Sequence, residues 1–342
     1  MTDECLTLTS FRVVANPGGA LYANKKILVT GAGGSIGSGL VQALSEAGCN
    51  LVLIDHSEYL LFQTLQRFPA KSYLADLRDR ERVASIFVAE KPDIVFHAAA
   101  LKHVPLMEEN PTEAIKTNVL GTKNLIELSV EAGVERFVFI SSDKAVKPAS
   151  VMGASKRIGE MLCYHYREHG KTVFTAVRFG NVLGSSGSVI PLFKEQIDRG
   201  GPVTVTDKDM ERYFMSIRQA CRLVMKTGEM GRSGEIYLLD MGEPVRIYDL
   251  ARAMILAEGK MPDVDIELRV TGLRPGEKLR EEIYRDSEAT GPTDVPGIRQ
   301  VKMIGNPEGF EADLARLLEA KSGESIRALF AAMIDDYRKS DG

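Results

Sequence analysis

An apolar segment that runs directly into a glycine-rich turn constrains this fold more than any other feature of the chain. Residues 25–30 (Lys-Lys-Ile-Leu-Val-Thr) predict a short strand, and Gly-Ala-Gly-Gly-Ser-Ile-Gly follows at residues 31–37. Apolar residues at helical spacing come next, at Leu40, Val41 and Leu44. A glycine motif becomes specific when a strand precedes it and a helix follows it, as here. The sequence therefore predicts a βα unit that binds a phosphate at the helix N-terminus.

Each glycine of this turn has a predicted task. Gly31 permits the tight turn, Gly34 lets the backbone approach a pyrophosphate, and Gly37 lets the helix pack close to the strand. Ser35 and Ile36 lie at the start of the helix, where free backbone N–H groups would bind the phosphates. The alternative is a glycine-rich turn that holds no ligand.

The residue that ends the second strand indicates which dinucleotide would bind. Residues 50–54 predict that strand, and Asp55 follows it, about 20 residues beyond the glycines. A carboxylate at this distance can accept hydrogen bonds from the adenosine ribose, and it would repel a 2′-phosphate. The sequence therefore predicts NAD rather than NADP, unless Asp55 only caps the next helix.

Further cofactor contacts are predicted at the ends of the third and fourth strands and in the helix that follows. An acidic residue after the third strand could bind the adenine amino group, and small residues after the fourth would let a cofactor lie against the backbone. For the asparagine in the helix, a solvent-facing or core-bonded amide is the alternative. These candidates are Asp76, Leu77, Ala98, Ala99 and Asn118.

Six βα units in alternation predict an α/β fold, a Rossmann-type doubly wound parallel sheet. After residue 178 short strands alternate with helices, which we interpret as a smaller, interleaved C-terminal substrate domain. The predicted boundaries are 1–24 for an N-terminal arm, 25–178 with a return at 216–240 for the NAD-binding domain, 179–215 and 241–310 for the substrate domain, and 311–342 for a helical C-terminal tail.

Charge and composition exclude several classes of function. The 342 residues carry a net charge of -4, so no overall basic field favours nucleic acid or an anionic membrane. No apolar run approaches the roughly 20 residues of a membrane helix, and the acidic N-terminus is unlike a signal peptide. The four cysteines and five histidines form no metal-like cluster. We therefore expect a cytoplasmic protein without membrane insertion, nucleic acid or metal.

The candidate catalytic groups follow the fifth strand, at the sheet edge where open parallel sheets bind their ligands. Ser142, Asp143 and Lys144 come directly after that strand. Met152 and Lys156 are four residues apart on the next helix and share a face. In short-chain dehydrogenase/reductases that face normally carries tyrosine and lysine, and methionine cannot replace the tyrosine in proton transfer. Either the enzyme is inactive, or Asp143 and Lys144 supply the acid and base, with Asp143 as a turn cap the alternative.

Together these segments resemble the extended short-chain dehydrogenase/reductases that dehydrate UDP-N-acetylglucosamine at C4 and C6. The resemblance covers about residues 20–290 and is closest to the branch that retains the configuration at C5. The turn and Asp55 fit that branch better than the C5-inverting branch, which prefers NADP. The matching segments are 30–37, 55–58, 98–108, 141–148, 152–156, 178–184, 188–193 and 272–279.

The resemblance implies a redox-neutral dehydration with tightly held NAD. Asp143 would be the base for the 4-hydroxyl, Lys144 and Lys102 would share the proton transfers at C5 and C6, and Lys156 would orient the nicotinamide ribose. Ser142 stands where relatives often have threonine. The implied partner is a UDP-N-acetylhexosamine. The helical tail could pack on its own domain or on a neighbouring copy, so a homo-oligomer of two or more chains is an open alternative. Residues implied to bind it are Lys102, His103, Asn181, Ser188, Val189, Arg212, Arg274 and Glu277.

Other functions on the same scaffold remain as alternatives. They are a C5-inverting 4,6-dehydratase, a 4-epimerase or reductase, and a non-catalytic NAD-binding scaffold. Met152 argues against the epimerase and the reductase, whose chemistry depends on the tyrosine. Asp143, Lys144 and Lys156 together argue against the scaffold. Many members of the retaining branch carry a membrane-spanning region before the catalytic domain, so the short N-terminal arm predicts the soluble short form.

Overall fold

A computed structural model describes residues 21–285, 288–303 and 305–338. The strands in these ranges are β1 Lys26–Thr30, β2 Asn50–Asp55, β3 Lys71–Leu74, β4 Ile94–His97, β5 Arg136–Ile140, β6 Val173–Arg178, β7 Asn181–Val182, β8 Val203–Val205, β9 Glu211–Arg212, β10 Phe214–Met215, β11 Glu235–Leu239, β12 Val245–Arg246, β13 Leu268–Val270, β14 Thr290–Pro292 and β15 Ile298–Val301. The helices are α1 Ser35–Glu46, α2 Glu58–Arg67, α3 Arg80–Glu90, α4 Val104–Glu109, α5 Pro111–Ala114, α6 Gly121–Ala132, α7 Val151–His165, α8 Val189–Asp198, α9 Ile217–Met230, α10 Ile247–Ala257, α11 Phe310–Glu319 and α12 Gly323–Met333.

Nine strands form one large sheet in the order β14-β15-β11-β6-β5-β4-β1-β2-β3. Strands β1 to β6 and β11 are parallel, and this part has the doubly wound order predicted from the alternating βα units. The fold class is therefore confirmed. The chain reverses its direction of travel across the sheet between β1 and β4, and crevices for ligands form at such a switch point.

Apolar clusters cover both faces of the sheet, which explains why its central strands read as continuous apolar runs. The cluster on one face includes residues of α3, α6 and α7, such as Ile86, Leu125 and Ile158. The cluster on the other face includes residues of α1 and α9, such as Leu40 and Val224. The edge at which the parallel strands end is left for the loops that form the site.

A third apolar cluster lies apart from the sheet, in the C-terminal part of the chain. It joins α8 and α10 through side chains such as Phe193 and Ile255, and two-stranded ladders flank it: β8 with β13, β9 with β12, and β7 with β10. The predicted substrate domain also contained residues 290–301, but β14 and β15 pair with the main sheet beside β11. Their pairing partners are distant in sequence, so local pattern did not reveal them.

The predicted helical tail is two helices rather than one. Ser322 interrupts the helical run and caps α12 by accepting a hydrogen bond from the N–H of Ser325. Phe310, Leu317 and Phe330 of the two helices are buried in the first apolar cluster. The tail is thus part of the core of the main domain.

The predicted N-terminal arm lies mostly outside the described residues, which begin at Leu21. Tyr22 is buried, and its hydroxyl donates to the carbonyl oxygen of Met225 in α9. Among the helices that the structure describes, none has the length and apolar character to cross a bilayer.

Candidate active site

The glycine turn leaves no room for a side chain at Gly31 or Gly37 and little room for one at Gly34. Gly31 has a φ of 64°, and a Cβ there would lie 2.6 Å from the Cα of Ala99. A Cβ on Gly37 would lie 1.9 Å from the carbonyl oxygen of Gly31, so α1 can pack this closely only with glycine. At Gly34 the nearest atom would be 3.2 Å away, again the oxygen of Gly31.

Asp55 fixes the shape of this turn. Its Oδ2 accepts a hydrogen bond from the N–H of Gly33 at 2.8 Å, and its Oδ1 accepts one from the N–H of Ser57. The carboxylate is buried at the end of β2, directly beside the turn. It therefore joins the two segments between which an adenosine ribose would lie.

The start of α1 has the character of a phosphate site. Its first turn, all of which is described, contains no acidic residue and no side-chain cap, so the backbone N–H groups near Ser35 and Ile36 are left for a ligand. A groove of about 670 Å³ opens beside it between α1, α2 and α9 and contains Gly33 and Ser35. The glycine cradle, the buried Asp55 and this helix start fit a dinucleotide.

The other cofactor candidates have different surroundings. Asn118 lies in a π-helical turn, Ile115–Leu120, and binds both backbone groups of Leu101 and the hydroxyl of Ser155. Its amide therefore holds the loop after β4, and a direct cofactor contact stays a prediction. Asp76 pairs with Arg78, a contact that lowers the pKa of the carboxyl. The buried residue Leu77 and the small residues Ala98 and Ala99 border the same edge.

Ser142, Asp143 and Lys144 form one hydrogen-bonded group after β5. The hydroxyl of Ser142 donates to Oδ1 of Asp143 at 2.9 Å, and Nζ of Lys144 donates to the same oxygen at 3.0 Å. Asp143 is fully buried, and its Oδ2 has no hydrogen-bond partner among the described residues. A buried carboxylate oxygen without a donor is costly unless a ligand supplies one. This group can accept a proton from a bound hydroxyl.

Two acidic side chains hold Lys144 as an ammonium group. Burial lowers its pKa, but Asp143 and Glu281 outweigh burial, so the pKa of Lys144 is raised overall. Its Nζ lies 3.0 Å from Oδ1 of Asp143 and 3.5 Å from Oε1 of Glu281. Lys144 is therefore positively charged at neutral pH.

Helix α7 carries Lys156 and Met152 beneath this group. Lys156 is buried, and its Nζ donates to the carbonyl oxygen of Ile140 at 2.8 Å. Burial lowers the pKa of Lys156 to about 8. Met152 is 3% exposed and packs in the first apolar cluster, so the position usually held by tyrosine contributes no proton here.

All eight residues predicted to bind substrate line one cleft. It has a volume of about 290 Å³ and is bordered by α8, the β9 strand and the loop after β4. Lys144 lines the same cleft, whereas Asp143 is buried behind it. The structure thus brings together Lys102, His103, Asn181, Ser188, Val189, Arg212, Arg274 and Glu277.

Two of these residues contact the loop that follows β7. Nζ of Lys102 donates to the carbonyl oxygen of Ser186 at 2.6 Å, and burial lowers the pKa of this lysine. A Cβ on Gly187 would lie 2.6 Å from Cε1 of His103. The N–H of Ser186 also donates to the hydroxyl of Ser35 at 3.1 Å. This loop therefore connects the glycine turn with the cleft.

The two arginines of the cleft are held in different ways. Arg212 is buried, and its guanidinium donates to the carbonyl oxygens of Glu211, Lys278 and Leu279. Arg274 is exposed and pairs with Glu277 at 2.6 Å. Arg274 thus offers a positive group to an anionic ligand, while Arg212 also anchors the segment that carries Glu281.

Sequence reasoning missed Ser186 and Glu281. Ser186 lies in a long loop of small residues without a distinctive pattern. Glu281 stands in an Arg-Glu-Glu run that reads as a solvated surface, yet it is buried against Lys144. Only the proximity of Glu281 to a candidate residue on another segment reveals it.

A family model with the description "Polysaccharide biosynthesis protein" matches residues 27–303, most of the chain. The chain belongs to this polysaccharide biosynthesis protein family. The matched residues include the glycine turn, the Ser142–Lys144 group and the cleft.

Two proteins similar in sequence to this chain carry related descriptions. The capsular polysaccharide biosynthesis protein CapD of Staphylococcus aureus is 50% identical over 276 residues, 78% of this chain and 46% of that protein. The chain thus spans about half the length of that relative. A UDP-N-acetylglucosamine 4,6-dehydratase (inverting) of Campylobacter jejuni is 33% identical over 76% of this chain and 78% of its own.

A solved structure with the same fold was determined with a cofactor. The Thermus thermophilus UDP-glucose 4-epimerase, in complex with NAD, matches with a TM-score of 0.69 and 26% identity. The match covers 75% of this chain and 90% of that one. The relatives of this chain thus include a nucleotide-sugar dehydratase and a nucleotide-sugar epimerase.

Proposed function

We propose that this protein is an NAD-dependent UDP-N-acetylglucosamine 4,6-dehydratase that retains the configuration at C5. The single observation that carries the proposal is the Ser142–Asp143–Lys144 group at the edge of a cleft, with Met152 at the usual tyrosine position. Removal of a proton from a sugar hydroxyl is then assigned to a carboxylate, and a charged lysine lies beside it for the elimination of water.

The cofactor assignment depends on the fit of the glycine cradle, Asp55 and the α1 start to a dinucleotide. The NAD bound in the related epimerase supports it. NAD would take up the hydride from C4 of the sugar and return it to C6. Lys156, buried below the fifth strand, would hold the nicotinamide ribose.

The chain's own groups would move the protons. The partly exposed hydroxyl of Ser142 connects the sugar 4-hydroxyl with the buried Asp143, whose Oδ1 accepts the hydrogen bond from Ser142. Oxidation at C4 makes the neighbouring C5 proton acidic. Lys144 and Lys102 line the cleft where that proton leaves and where the 6-hydroxyl departs as water.

The proposal also specifies that the configuration at C5 of the sugar is retained rather than inverted. The Campylobacter relative is an inverting enzyme at 33% identity. Retention is favoured by the Gly-Ala-Gly-Gly turn and by Asp55, which selects against a 2′-phosphate. The oxidised sugar must then be reprotonated on the face from which the proton left.

Incubation of the purified protein with UDP-N-acetylglucosamine and NAD tests the proposal. We expect a product lighter by one water, without net reduction of the cofactor, and NMR couplings that report a retained C5 configuration. Unchanged substrate would contradict an enzymatic function on this sugar. A product of the same mass with the C4 hydroxyl inverted would instead support the epimerase.

A further inference from the structure

Glu281 is a buried carboxylate in the cleft that no other part of the proposed chemistry uses. Its side chain is 4% exposed, and it lines the cleft with Lys144 and Arg212. Its Oε2 is buried and has no hydrogen-bond partner among the described residues. A buried carboxylate oxygen without a hydrogen-bond donor lowers the stability of the fold, so a functional role would explain why the charge is buried here.

The carboxylate of Glu281 lies beside Lys144 and comes from a different segment of the chain than Asp143. Oε1 of Glu281 lies 3.5 Å from Nζ of Lys144, and Nη2 of Arg212 lies 3.8 Å from the same oxygen. Lys144 therefore lies between two carboxylates that come from different segments. Each carboxylate favours the ammonium form.

Other charged groups around Lys144 do not reverse this balance. Burial and the charge of Arg212 lower the pKa of Lys144, whereas Asp143 and Glu281 raise it. Overall, the pKa of Lys144 is raised. Lys278 interacts with Asp143 and Glu281 and donates to the carbonyl oxygen of Val146. The neutral amide of Asn181 completes the contacts, with its Oδ1 at 3.4 Å from Nζ of Lys144.

The segment that carries Glu281 is anchored at several points. Arg212 donates to the carbonyl oxygens of Lys278 and Leu279, and Lys147 pairs with Glu282 at 2.5 Å. The bonds from Arg212 hold the backbone before Glu281, and the side chain of Glu282 ties the residue after it to Lys147. The carboxylate is therefore held against Lys144 by the fold rather than by Lys144 alone.

We propose that Glu281 is a positioning residue that keeps Lys144 protonated and aimed into the cleft, so that Lys144 donates the proton to the departing 6-hydroxyl. The proposal rests on the dehydratase function and divides its proton transfers. Lys144 is an acid in the elimination, and Lys102, the other lysine of the cleft, is the base.

The elimination balances with these two groups. The C5–H bond breaks and its proton goes to Lys102, while the electron pair forms the C5–C6 double bond. The C6–O bond breaks, and the oxygen takes a proton from Lys144 and leaves as water. When hydride is returned to C6, Lys102 gives its proton back to C5, and Lys144 regains one from the proton that Asp143 took at C4.

Replacement of Glu281 by glutamine tests this role. Glu281→Gln keeps the shape and removes the charge, so we expect C4 oxidation to continue while water loss slows by about tenfold or more. Reduced cofactor, followed by its absorbance in a single turnover, should then accumulate. Glu267→Gln is the matched control, because this exposed glutamate pairs with Arg269 and does not line the cleft, so both steps should be unchanged.

The pH dependence of the water-loss rate distinguishes a positioning role of Glu281 from a purely structural one, which would not change it. Without the charge of Glu281, the pKa of Lys144 falls, and the alkaline limb of the water-loss rate should move to lower pH by about one unit or more. Glu281→Asp retains the charge and should keep the limb near its original place, even if the rate falls. NMR titration of Lys144 in wild type and Glu281→Gln measures the same shift without turnover.

Several results would overturn the inference. An unchanged titration of Lys144 in Glu281→Gln would refute the positioning role. Faster water loss at neutral pH in that variant would show that Lys144 acts as a base. A wild-type protein that does not dehydrate the sugar would refute the proposed function itself, and the NMR titration separates this failure from the first.

Discussion

At the scale of single residues, Asp143 is a buried carboxylate beside one ammonium group, an arrangement suited to accepting a proton. Both of its oxygens are shielded from water, yet only Oδ1 has hydrogen-bond donors within the described structure. The proximity of Lys144 keeps a negative charge tolerable in this position. In the proposed function the sugar proton reaches Oδ1 through the hydroxyl of Ser142, whereas Oδ2 has no donor among the described residues.

Asp143→Asn should lower turnover by about 10²- to 10⁴-fold, because an amide cannot take the 4-hydroxyl proton. The cofactor should stay bound, since the hydrogen bonds of Asp143 within the described part of the chain are to Ser142, Lys144, Val146 and Phe179. Product formation and the NAD content of the purified variant measure the two effects. Asp240→Asn is the matched control, since this exposed residue follows β11 at the same sheet edge. Near-normal rates in Asp143→Asn would contradict its proton role.

Met152→Tyr should not increase activity. The side chain is buried in a packed apolar cluster, so the larger tyrosine is expected to cost about 1–3 kcal/mol of stability. Its hydroxyl would also compete with a proton route that already exists. The measurements are kcat/KM and the thermal midpoint. A large gain in activity would mean that the methionine is a defect.

At the scale of elements, buried polar side chains fix how strands and helices meet. His97, the last residue of β4, contacts the hydroxyl of Thr30 in β1 at 2.8 Å and that of Thr122 in α6 at 2.9 Å. The histidine is fully buried between them. It links two central strands to the helix that follows the π-helical turn of Asn118.

This contact predicts a pH dependence of stability. Burial, with a smaller effect of Lys156, lowers the pKa of His97 to about 3, whereas an unfolded histidine titrates near 6.5. The unfolded chain therefore binds more protons between these values, and stability falls with falling pH in that window. The loss is about 1.4 kcal/mol per pH unit once pH is well below 6.5.

Urea unfolding at pH 6.5 and at pH 4.5 measures the effect. His97→Gln should be less stable at the higher pH but should lose about 2 kcal/mol less than wild type on acidification. His169→Gln is the matched control, because this histidine is exposed and should keep the wild-type dependence. Equal losses in wild type and His97→Gln would contradict the prediction.

At the scale of the whole molecule, the C-terminal tail supports the active site from outside. Arg327 of α12 donates to Oε2 of Glu108 at 2.8 Å and to the carbonyl oxygen of Glu108 at 3.1 Å. Oε1 of Glu108 accepts from the N–H of Val151, the first residue of α7. The tail thus reaches the helix that carries Lys156 through one side chain.

Arg327→Ala should lower the free energy of unfolding by about 1.5–3 kcal/mol, because it leaves the largely buried carboxylate of Glu108 with one partner fewer. Chemical denaturation measures the change. Arg316→Ala removes an exposed arginine that pairs within α11 and should cost less than about 0.5 kcal/mol. Equal effects of the two variants would mean that the tail contact does not stabilise the fold.

Local pattern in the sequence determined much of the protein. The strand, glycine turn and helix, Asp55 after β2 and the repeated βα units are local features, and each predicted its element or its place in the sheet. Lys102, Asn181, Arg212 and Arg274 were predicted to act on one ligand through resemblance, and the fold brings them into one cleft. Their roles there remain predictions.

Only the tertiary structure decided what depends on contacts between distant segments. The pairing of β14 and β15 with the main sheet and the packing of the two tail helices gain their stability from residues far away in sequence. The same is true of Glu281, whose charge matters because folding removes it from water and sets it 3.5 Å from Lys144. A local pattern records the periodicity of a segment, whereas the dielectric surroundings and partners of a charge exist only after the chain has folded.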